Sequence, residues 1–243
     1  MNSEENQEKE KTLNNRSFKR HPSILLNKLY QLKTFQGADP EYAEILFVGR
    51  DPNWHHDIEN MPVFKMVVEY LKDGPAYWKK NNFHHPFISK EYKGDGKRYH
   101  KMFSKLSIDS NNSQKISFVE LIGFPTTGMA NKNKSEFKRL LLSEANQKYL
   151  IQLDRILSKK DKIIFVAWGL LKDYQLLNRE LGLFEKFAKI DRTQLDITEL
   201  NQIGNIFIHK HFSDSISNNT INKMSEQVNN YLKKLQPITE KYK

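Results

Sequence analysis

The sequence predicts a single three-layer αβα domain of the α/β class, in which helices cover both faces of a central, mostly parallel sheet of four strands. Alternation of strands with helices is typical of a parallel sheet covered on both faces. Four short runs rich in Ile, Val and Phe have the length and composition of buried strands: EILFVG (44–49), ISFVELIG (116–123), KIIFVAWG (162–169) and NIFIHKH (205–211). Stretches with helical spacing of apolar residues separate these runs, around 61–71, 97–107, 134–158, 169–181 and 217–235.

The N-terminal part of the chain divides into two segments. Residues 1–20 are polar and low in complexity, which predicts disorder, and the domain is predicted to span 21–243. After Pro22, the pattern ILLNKLYQL places apolar residues at helical spacing and predicts a first helix. The chain shows no internal repeat and no Pro/Gly-rich linker, so we expect one core.

Composition and charge restrict the class of protein. The 39 Lys and Arg residues against 29 Asp and Glu give a formal net charge of +10, which favours a polyanionic partner such as nucleic acid, although a Lys-rich surface also serves solubility alone. The absence of Cys excludes disulfides, thiolate zinc sites and cysteine nucleophiles. The segment MNSEENQEKEK lacks the apolar core of a signal peptide, and no apolar run is long enough to cross a bilayer. We therefore expect a cytoplasmic protein with no membrane attachment.

Unusual polar and aromatic residues follow three of the four predicted strands. They form the segments GRDPNWH (49–55), GFPTTG (123–128) and HKHFSDS (209–215). In open parallel sheets, ligands bind at the carboxyl ends of the strands. We therefore expect these three loops to converge on one site.

An acid and a set of histidines are the candidates for chemistry at this site. Asp51 precedes Pro52, which restricts the backbone of the acid; an acid held in this way can activate a water or balance a developing positive charge, whereas an Asp at a turn also acts as a simple cap. The histidines allow a metal site as an alternative, with the ligands drawn from His55, His56, Asp57, His84, His85, His209 and His211. No HxxxH pair is present, which favours structural histidines.

The segment FHHPF (83–87) places two aromatic rings and two imidazoles in one loop. An exposed Phe there would stack on a base or sugar, and a buried one would belong to the core. GxGxxG, Walker and GxSxG patterns are missing, which argues against the common dinucleotide, P-loop and serine-hydrolase sites.

Taken in order, these motifs resemble those of the uracil-DNA glycosylase superfamily, over about residues 42–235. VGRDPNWH resembles its first motif, a strand followed by Gly-x-Asp/Asn-Pro. FHHP and the following KRYHKMFSKL resemble the Phe-x-His-Pro and Asn-Arg-Phe-Trp run of the mismatch-specific branch. FVELIGFPTTG and KIIFVAWG occupy the places of the second- and third-strand motifs. HFSDS (211–215) resembles the His/Asn-Pro-Ser motif after the last strand.

The resemblance implies a monofunctional DNA glycosylase, which hydrolyses the N-glycosidic bond of a flipped-out base and leaves an abasic site. Asp51 would orient water and balance the charge of an oxocarbenium-like state, while His211 would stabilise negative charge on the leaving base. Phe83 matches the base-stacking position better than Phe87. The resemblance implies DNA as the partner, no metal or organic cofactor, and a monomer without an obligate protein partner.

Further roles follow from the same resemblance. The residues expected at the base, besides Phe83, are Gly49, Asn53 and Glu120. The residues expected at the DNA are Thr126, Thr127, Lys210, Ser213 and Ile216. Ser213 would hold a phosphate, and Ile216 or Phe212 would wedge into the base stack.

Three departures from the family bear on the substrate. Asn53 stands where the uracil-specific branch has a tyrosine that blocks C5 of the pyrimidine. The second strand ends without that branch's uracil-reading asparagine, unless Asn131 or Asn133 reaches back, and Glu120 is the only polar residue in VELIGF. Phe212 replaces the proline of the last motif. We therefore expect the substrate to be uracil or a C5-modified pyrimidine, in genome repair or in attack on modified foreign DNA such as that of phages.

Two alternatives from other classes stay open. One is a catalytically inactive member of the superfamily that binds DNA as a module. The other is a metal-dependent nuclease that uses the histidines. Abasic-site formation that vanishes in Asp51→Ala would exclude the first, and activity in EDTA would exclude the second.

Overall fold

The computed structural model describes residues 17–234 as one α/β domain. The elements in chain order are β1 (Lys19–Arg20), α1 (Ile24–Leu32), β2 (Gln36–Gly37), β3 (Ile45–Gly49), α2 (Phe64–Lys72), α3 (Gly74–Asn81), α4 (Lys97–Ser104), β4 (Ile116–Glu120), β5 (Thr126–Thr127), α5 (Lys134–Leu141), α6 (Glu144–Leu157), β6 (Ile163–Ala167), α7 (Leu171–Leu181), α8 (Glu185–Ala188), β7 (Asn201–Ile203), β8 (Ile206–His209) and α9 (Asn218–Lys234). Short 3₁₀ helices lie between them at Ile58–Asn60, Pro86–Ile88, Ser110–Lys115, Trp168–Leu170 and Arg192–Gln194.

The central sheet has six strands in the order β2-β4-β3-β6-β8-β7. Its four inner strands are parallel and are the four that the apolar runs predict, so the parallel core of the fold is confirmed. The sheet is larger than the predicted four strands, because β2 and β7 add antiparallel edges. A separate ribbon pairs β1 with β5. These extra strands have two or three residues each and leave no periodic pattern in the sequence.

Helices pack on both faces of the sheet because successive strand residues point to opposite sides. Leu46 and Val48 of β3 belong to one apolar cluster, which helices α5 to α8 cover. Ile45 and Phe47 of the same strand belong to a second cluster, which residues of α3, α4 and α9 complete. A third cluster, around Trp54, lies beneath α1 and α2 and supports the loop that follows β3.

Every predicted helix is present, one of them is divided in two, and α3 and α8 are additional. The predicted helix 134–158 is two helices, because Ser143 adopts an extended backbone at the junction of α5 and α6. Helix α3 was not predicted; it begins at the sequence Asp73-Gly74-Pro75, where the Asp73 side chain accepts the backbone N–H of Ala76 as an N-cap.

The prediction of disorder for residues 1–20 is wrong where the structure can test it. Residues 1–16 lie outside the described range, as do residues 235–243 at the other end of the predicted domain. Phe18, however, is 2% exposed and its ring lies 5.9 Å from that of Phe137 in α5. Lys19 and Arg20 pair with Thr127 and Thr126. The Phe18 ring and the two strand pairs therefore dock residues 18–20 on the domain.

Within residues 17–234, no helix combines the length and the apolar character that crossing a bilayer requires.

Candidate functional site

A cavity of about 240 Å³ opens at the carboxyl ends of β3 and β4. The ends of the two strands contribute Gly49 and Glu120, and the loops after β3 and β8 contribute Asp51 and His211. Aromatic and imidazole rings line the rest of the wall, from Phe47, Trp54, His85, Phe87, Tyr99, His100 and Phe118. The expected convergence of the first and last loops on one site is thus present.

The second loop joins the site by pairing with the first one. The backbone N–H of Thr126 donates to the carbonyl of Pro52 at 3.0 Å, and the N–H of Trp54 donates to the carbonyl of Thr126 at 2.9 Å. These bonds hold the loop after β3 against the loop after β4. Thr126 is fully buried, so its side chain faces the acid rather than a DNA surface.

Asp51 is half-buried, and one of its two carboxylate oxygens remains free. Its Oδ2 accepts the hydroxyl of Thr126 at 2.7 Å and the amide Nδ2 of Asn53 at 3.2 Å. Its Oδ1 has no hydrogen-bond partner among the residues that the structure describes. Burial raises the pKa of Asp51, while the two hydrogen bonds and Arg50 act in the opposite direction. The result is a fixed acid of increased basicity with one oxygen available to a water.

His211 presents an N–H donor to the same cavity. Its Nδ1 accepts the backbone N–H of Ser213 at 3.2 Å, which places the proton of the neutral ring on Nε2. Burial lowers the pKa of His211, and Arg50 lowers it further against the opposing effect of Asp214. At neutral pH the ring is therefore an uncharged donor.

Glu120 is the most deeply buried acid of the cavity, with 8% of its surface exposed. Its Oε1 accepts Nε2 of Gln36 at 3.1 Å, and Oε1 of Gln36 lies 3.2 Å from Nε2 of His85. Burial, followed by the charge of Asp51, raises the pKa of Glu120 to about 8. The carboxyl is therefore largely protonated at neutral pH.

Gly49 makes room for Glu120. The two residues are direct partners in the β3–β4 ladder. A Cβ placed on Gly49 would lie 3.2 Å from Cγ of Glu120. The absence of a side chain at Gly49 therefore leaves space for the side chain of Glu120 in the cavity wall.

Asn53 lines the cavity, but its amide group is already engaged. Besides the bond to Asp51, its Nδ2 donates to the carbonyl of Gly128 at 2.6 Å. This side chain braces the acid and the rim of the second loop. Both of these bonds use Nδ2, so Oδ1 of Asn53 is not engaged by them.

Phe83, the ring expected to stack on the base, lies outside this cavity. It packs at the edge of the third cluster, 5.8 Å from the ring of Tyr77. The cavity wall is formed by Phe87, Phe47 and Phe118. Phe47 and Phe118 had a signal in the sequence: each stands two positions before Gly49 or Glu120 and therefore shares a strand face with it.

The two residues expected to wedge into the base stack are buried in this structure. Ile216 is 8% exposed and Phe212 is fully buried, and both belong to the second core cluster. The Phe212 ring contacts those of Tyr99 and His209, at centroid distances of 5.1 and 4.9 Å. Phe212 therefore packs the loop after β8 onto the second core cluster.

The remaining residues expected at the DNA divide between rim and interior. Ser213 and Lys210 are half-buried and line a further cavity of about 520 Å³, which Asp51, His211 and Asn131 also line. Thr127 is 2% exposed and pairs with Lys19. Asn133 immediately precedes α5, and its Nδ2 donates to the carbonyl of Met129.

The histidines of the FHHPF loop form a stack with His100. The rings of His85 and His100 lie parallel at 3.6 Å, and Nε2 of His84 lies 3.0 Å from Nδ1 of His100. Burial lowers the pKa of all three, that of His100 to about 3. Across residues 17–234, no group of three or more His, Asp or Glu side chains is placed to hold a metal ion.

A larger cavity of about 600 Å³ adjoins the first one across Asn53, Trp54 and Gly96. Many of the residues in its wall are polar. Besides the three shared residues, the wall contains His55, His56, Tyr92, Asp95, Thr127, Gly128 and Met129. The first cavity thus continues beyond Asn53 into the second one.

Comparison of the chain with protein-family models, with curated proteins and with solved structures finds no match in any of the three.

Proposed function

We propose that this chain is a monofunctional DNA glycosylase that hydrolyses the N-glycosidic bond of a flipped-out pyrimidine. One observation carries the proposal. Asp51, with a free carboxylate oxygen, and neutral His211, with an N–H donor, line the same ring-walled cavity at the carboxyl ends of the sheet.

These two groups are suited to stabilise the two charges that develop during the reaction. When the bond between C1′ and the base nitrogen breaks, its electron pair leaves with the base and positive charge develops on the sugar. The N–H of His211 would stabilise the developing charge on a base oxygen. The carboxylate of Asp51 would balance the sugar's charge and accept the proton of the water that attacks C1′.

The wall of the cavity suits a flat ring. Glycosylases read an extruded base by stacking and by hydrogen bonds to its edge. Phe47, Phe118 and Phe87 supply aromatic surface, while Glu120 supplies a polar group at one side. This arrangement supports a base as the occupant.

The space beyond Asn53 supports a C5-modified pyrimidine beside uracil as a substrate. The amide of Asn53 is held by Asp51 and Gly128, and the 600 Å³ cavity begins on its other side. A substituent on C5 would have polar partners there. Uracil removal would serve genome repair, and removal of a bulkier base would serve attack on modified foreign DNA such as that of phages.

Affinity for DNA would come mainly from charge. The excess of +10 attracts the phosphate backbone without sequence preference. Lys210 and Ser213, at the rim of the 520 Å³ cavity, are the described residues best placed to contact phosphates beside the site. Binding should therefore weaken steeply as salt is raised.

The test uses purified protein in EDTA on oligonucleotides and phage DNAs that carry different bases. We expect alkali-labile abasic sites at one class of base and a loss of roughly 10²- to 10⁴-fold in Asp51→Asn, the range for removal of a general base. Asp57→Asn, in the same loop but exposed, is the matched control.

Other outcomes would decide between the alternatives. DNA binding without abasic product on any base would favour the inactive module. Strand cleavage that EDTA abolishes would favour the metal-dependent nuclease.

A further inference from the structure

Three side chains form a hydrogen-bonded relay whose direction is fixed. Nδ1 of His85 accepts the backbone N–H of Phe87 at 3.1 Å, so the proton of the neutral ring sits on Nε2. That N–H donates to Oε1 of Gln36, which leaves Nε2 of Gln36 to donate to Oε1 of Glu120. The relay ends at Glu120, with Oε1 as an acceptor.

The second carboxyl oxygen of Glu120, Oε2, is buried without a hydrogen-bond partner among the described residues. Glu120 itself is only 8% exposed and lines the 240 Å³ cavity. An unpaired buried polar atom is costly unless a ligand or a water completes it. Since Oε1 accepts the Gln36 amide, the acid proton belongs on Oε2, and Oε1 keeps a second lone pair.

We propose that Glu120 reads the pairing edge of the flipped base as a carboxylic acid, with Oε2–H donating to the base and Oε1 accepting from it. This inference rests on the proposed glycosylase function and deepens it. It assigns the substrate class: a base whose pairing edge places a hydrogen-bond acceptor beside a donor. N3 with the N4 amino group of a cytosine-type base has this pattern, and so has O4 with N3–H of a uracil-type base.

The surroundings keep the acid neutral. Asp51 is the charged group that faces it, from the loop after β3, and a neighbouring negative charge disfavours ionisation. The tyrosines that interact electrostatically with Glu120 come from α1, α2, α4 and α6, and the pKa of each is raised, namely Tyr30, Tyr70, Tyr99 and Tyr149. Burial lowers the pKa of His85 and His100. Glu120 is thus the group of this set expected to ionise near pH 8.

The experiment compares Glu120→Gln with Glu120→Ala in single-turnover kinetics from pH 6 to pH 9. The Gln side chain keeps an acceptor at one end and replaces Oε2–H by an amide donor. We expect kcat/KM of Glu120→Gln within about tenfold of wild type at pH 7, and a loss of roughly 10- to 100-fold in Glu120→Ala, as for a lost bidentate contact to a base edge. Glu44→Gln, at the opposite end of β3, is the matched control.

The pH profile separates this role from a structural one. Wild-type kcat/KM should fall about tenfold per pH unit above pH 8, because the ionised carboxylate loses its donor and the free enzyme's pKa governs this parameter. Glu120→Gln should show no such fall. A loss in Glu120→Gln as large as that in Glu120→Ala, or the same alkaline fall in both proteins, would overturn the inference.

Modified oligonucleotides provide a second test, which uses only the wild-type protein. Oligonucleotides would carry uracil, cytosine or 5-hydroxymethylcytosine, with an N3-methyl derivative of whichever base is released. Preference between these bases tells the two types of edge apart. N3-methylation should abolish release, and retained release would contradict the inference. Abasic product from wild type on no base at all would instead overturn the proposed function itself.

Discussion

Two carboxyl groups stand at the ends of neighbouring strands, and the fold treats them in opposite ways. Asp51, after β3, has two side-chain donors and a nearby Arg50, and it is half-exposed. Glu120, at the end of β4, has one amide donor, lies within the electrostatic reach of Asp51, and is almost fully buried. The first is equipped to hold a charge, and the second is equipped to hold a proton.

This difference allows one cavity to hold an ionised carboxylate and a protonated carboxylic acid close together. Desolvation raises the pKa of both groups, and it raises that of the more deeply buried Glu120 to about 8. Neighbouring titratable groups whose environments separate their pKa values are typical of acid–base assignments in active sites. The negative charge of ionised Asp51 also raises the pKa of Glu120, so ionisation of Asp51 favours the protonated form of Glu120.

The largest expected effect concerns the stability cost of Glu120. Its pKa lies near 8 when folded, against 4.5 for the ordinary side chain, so stability present below pH 4.5 is lost as pH rises through 8. Relative to wild type, Glu120→Gln should gain on the order of 3 kcal/mol of unfolding free energy between pH 4 and pH 7. Urea unfolding of both proteins at the two pH values measures this change.

Asp51→Asn is the matched comparison for that measurement. A smaller gain is expected, because the bonds from Thr126 and Asn53 offset the burial of Asp51. Equal gains in the two variants would abolish the contrast between the acids.

The next effect concerns the donor that keeps Asp51 charged. Thr126→Val removes the 2.7 Å hydrogen bond to Oδ2, and a hydrogen bond to a charged group contributes about 1.5–3 kcal/mol. The pKa of Asp51 should rise, so the acid limb of kcat/KM should move up by about one pH unit or more. The alkaline limb should stay near pH 8. A parallel shift of both limbs would mean that the two acids titrate as one unit.

The smallest effect concerns the space that Gly49 leaves. Gly49→Ala would bring a methyl group to 3.2 Å from Cγ of Glu120. We expect a cost of about 1 kcal/mol from this crowding and a several-fold decrease in activity, with the acid limb of Asp51 unchanged. Thermal unfolding would measure the loss of stability, and the pH profile of kcat/KM would measure the decrease in activity and the position of the acid limb. Gly204→Ala, on a turn with open space around it, is unsuitable as a control because its φ is positive, whereas Gly169→Ala has room and an ordinary backbone.

The sequence predicts the parallel core and two of the polar groups of the site well. Strands β3, β4, β6 and β8 are buried on both faces, so their apolar runs are unbroken and easily recognised. Asp51 and His211 are also evident, because each stands two positions after the last residue of such a strand. Position along a strand fixes these residues without knowledge of distant contacts.

The rest of the site depends on contacts that no local pattern encodes. Gln36 lies in a two-residue edge strand and meets Glu120 across 84 positions of sequence. Phe83 and Phe87 look alike in the sequence, and only the packing of Phe87 against Tyr92 and Trp54 decides which one reaches the cavity. The anchoring of Phe18 on α5 is likewise a tertiary event that overrides a polar composition.

The hydrogen bond between Asp51 and Thr126 also has a consequence for the order of events during synthesis. The two partners are 75 residues apart, so Asp51 is synthesised well before the threonine that donates a hydrogen bond to it. At roughly 5–20 residues per second the wait lasts about 4–15 seconds. During that interval the nascent chain carries the acid loop without the second loop that pairs with it. The cavity therefore cannot be completed before residue 126 has been synthesised, and a chain released before that point would leave Asp51 without the hydroxyl that fixes it.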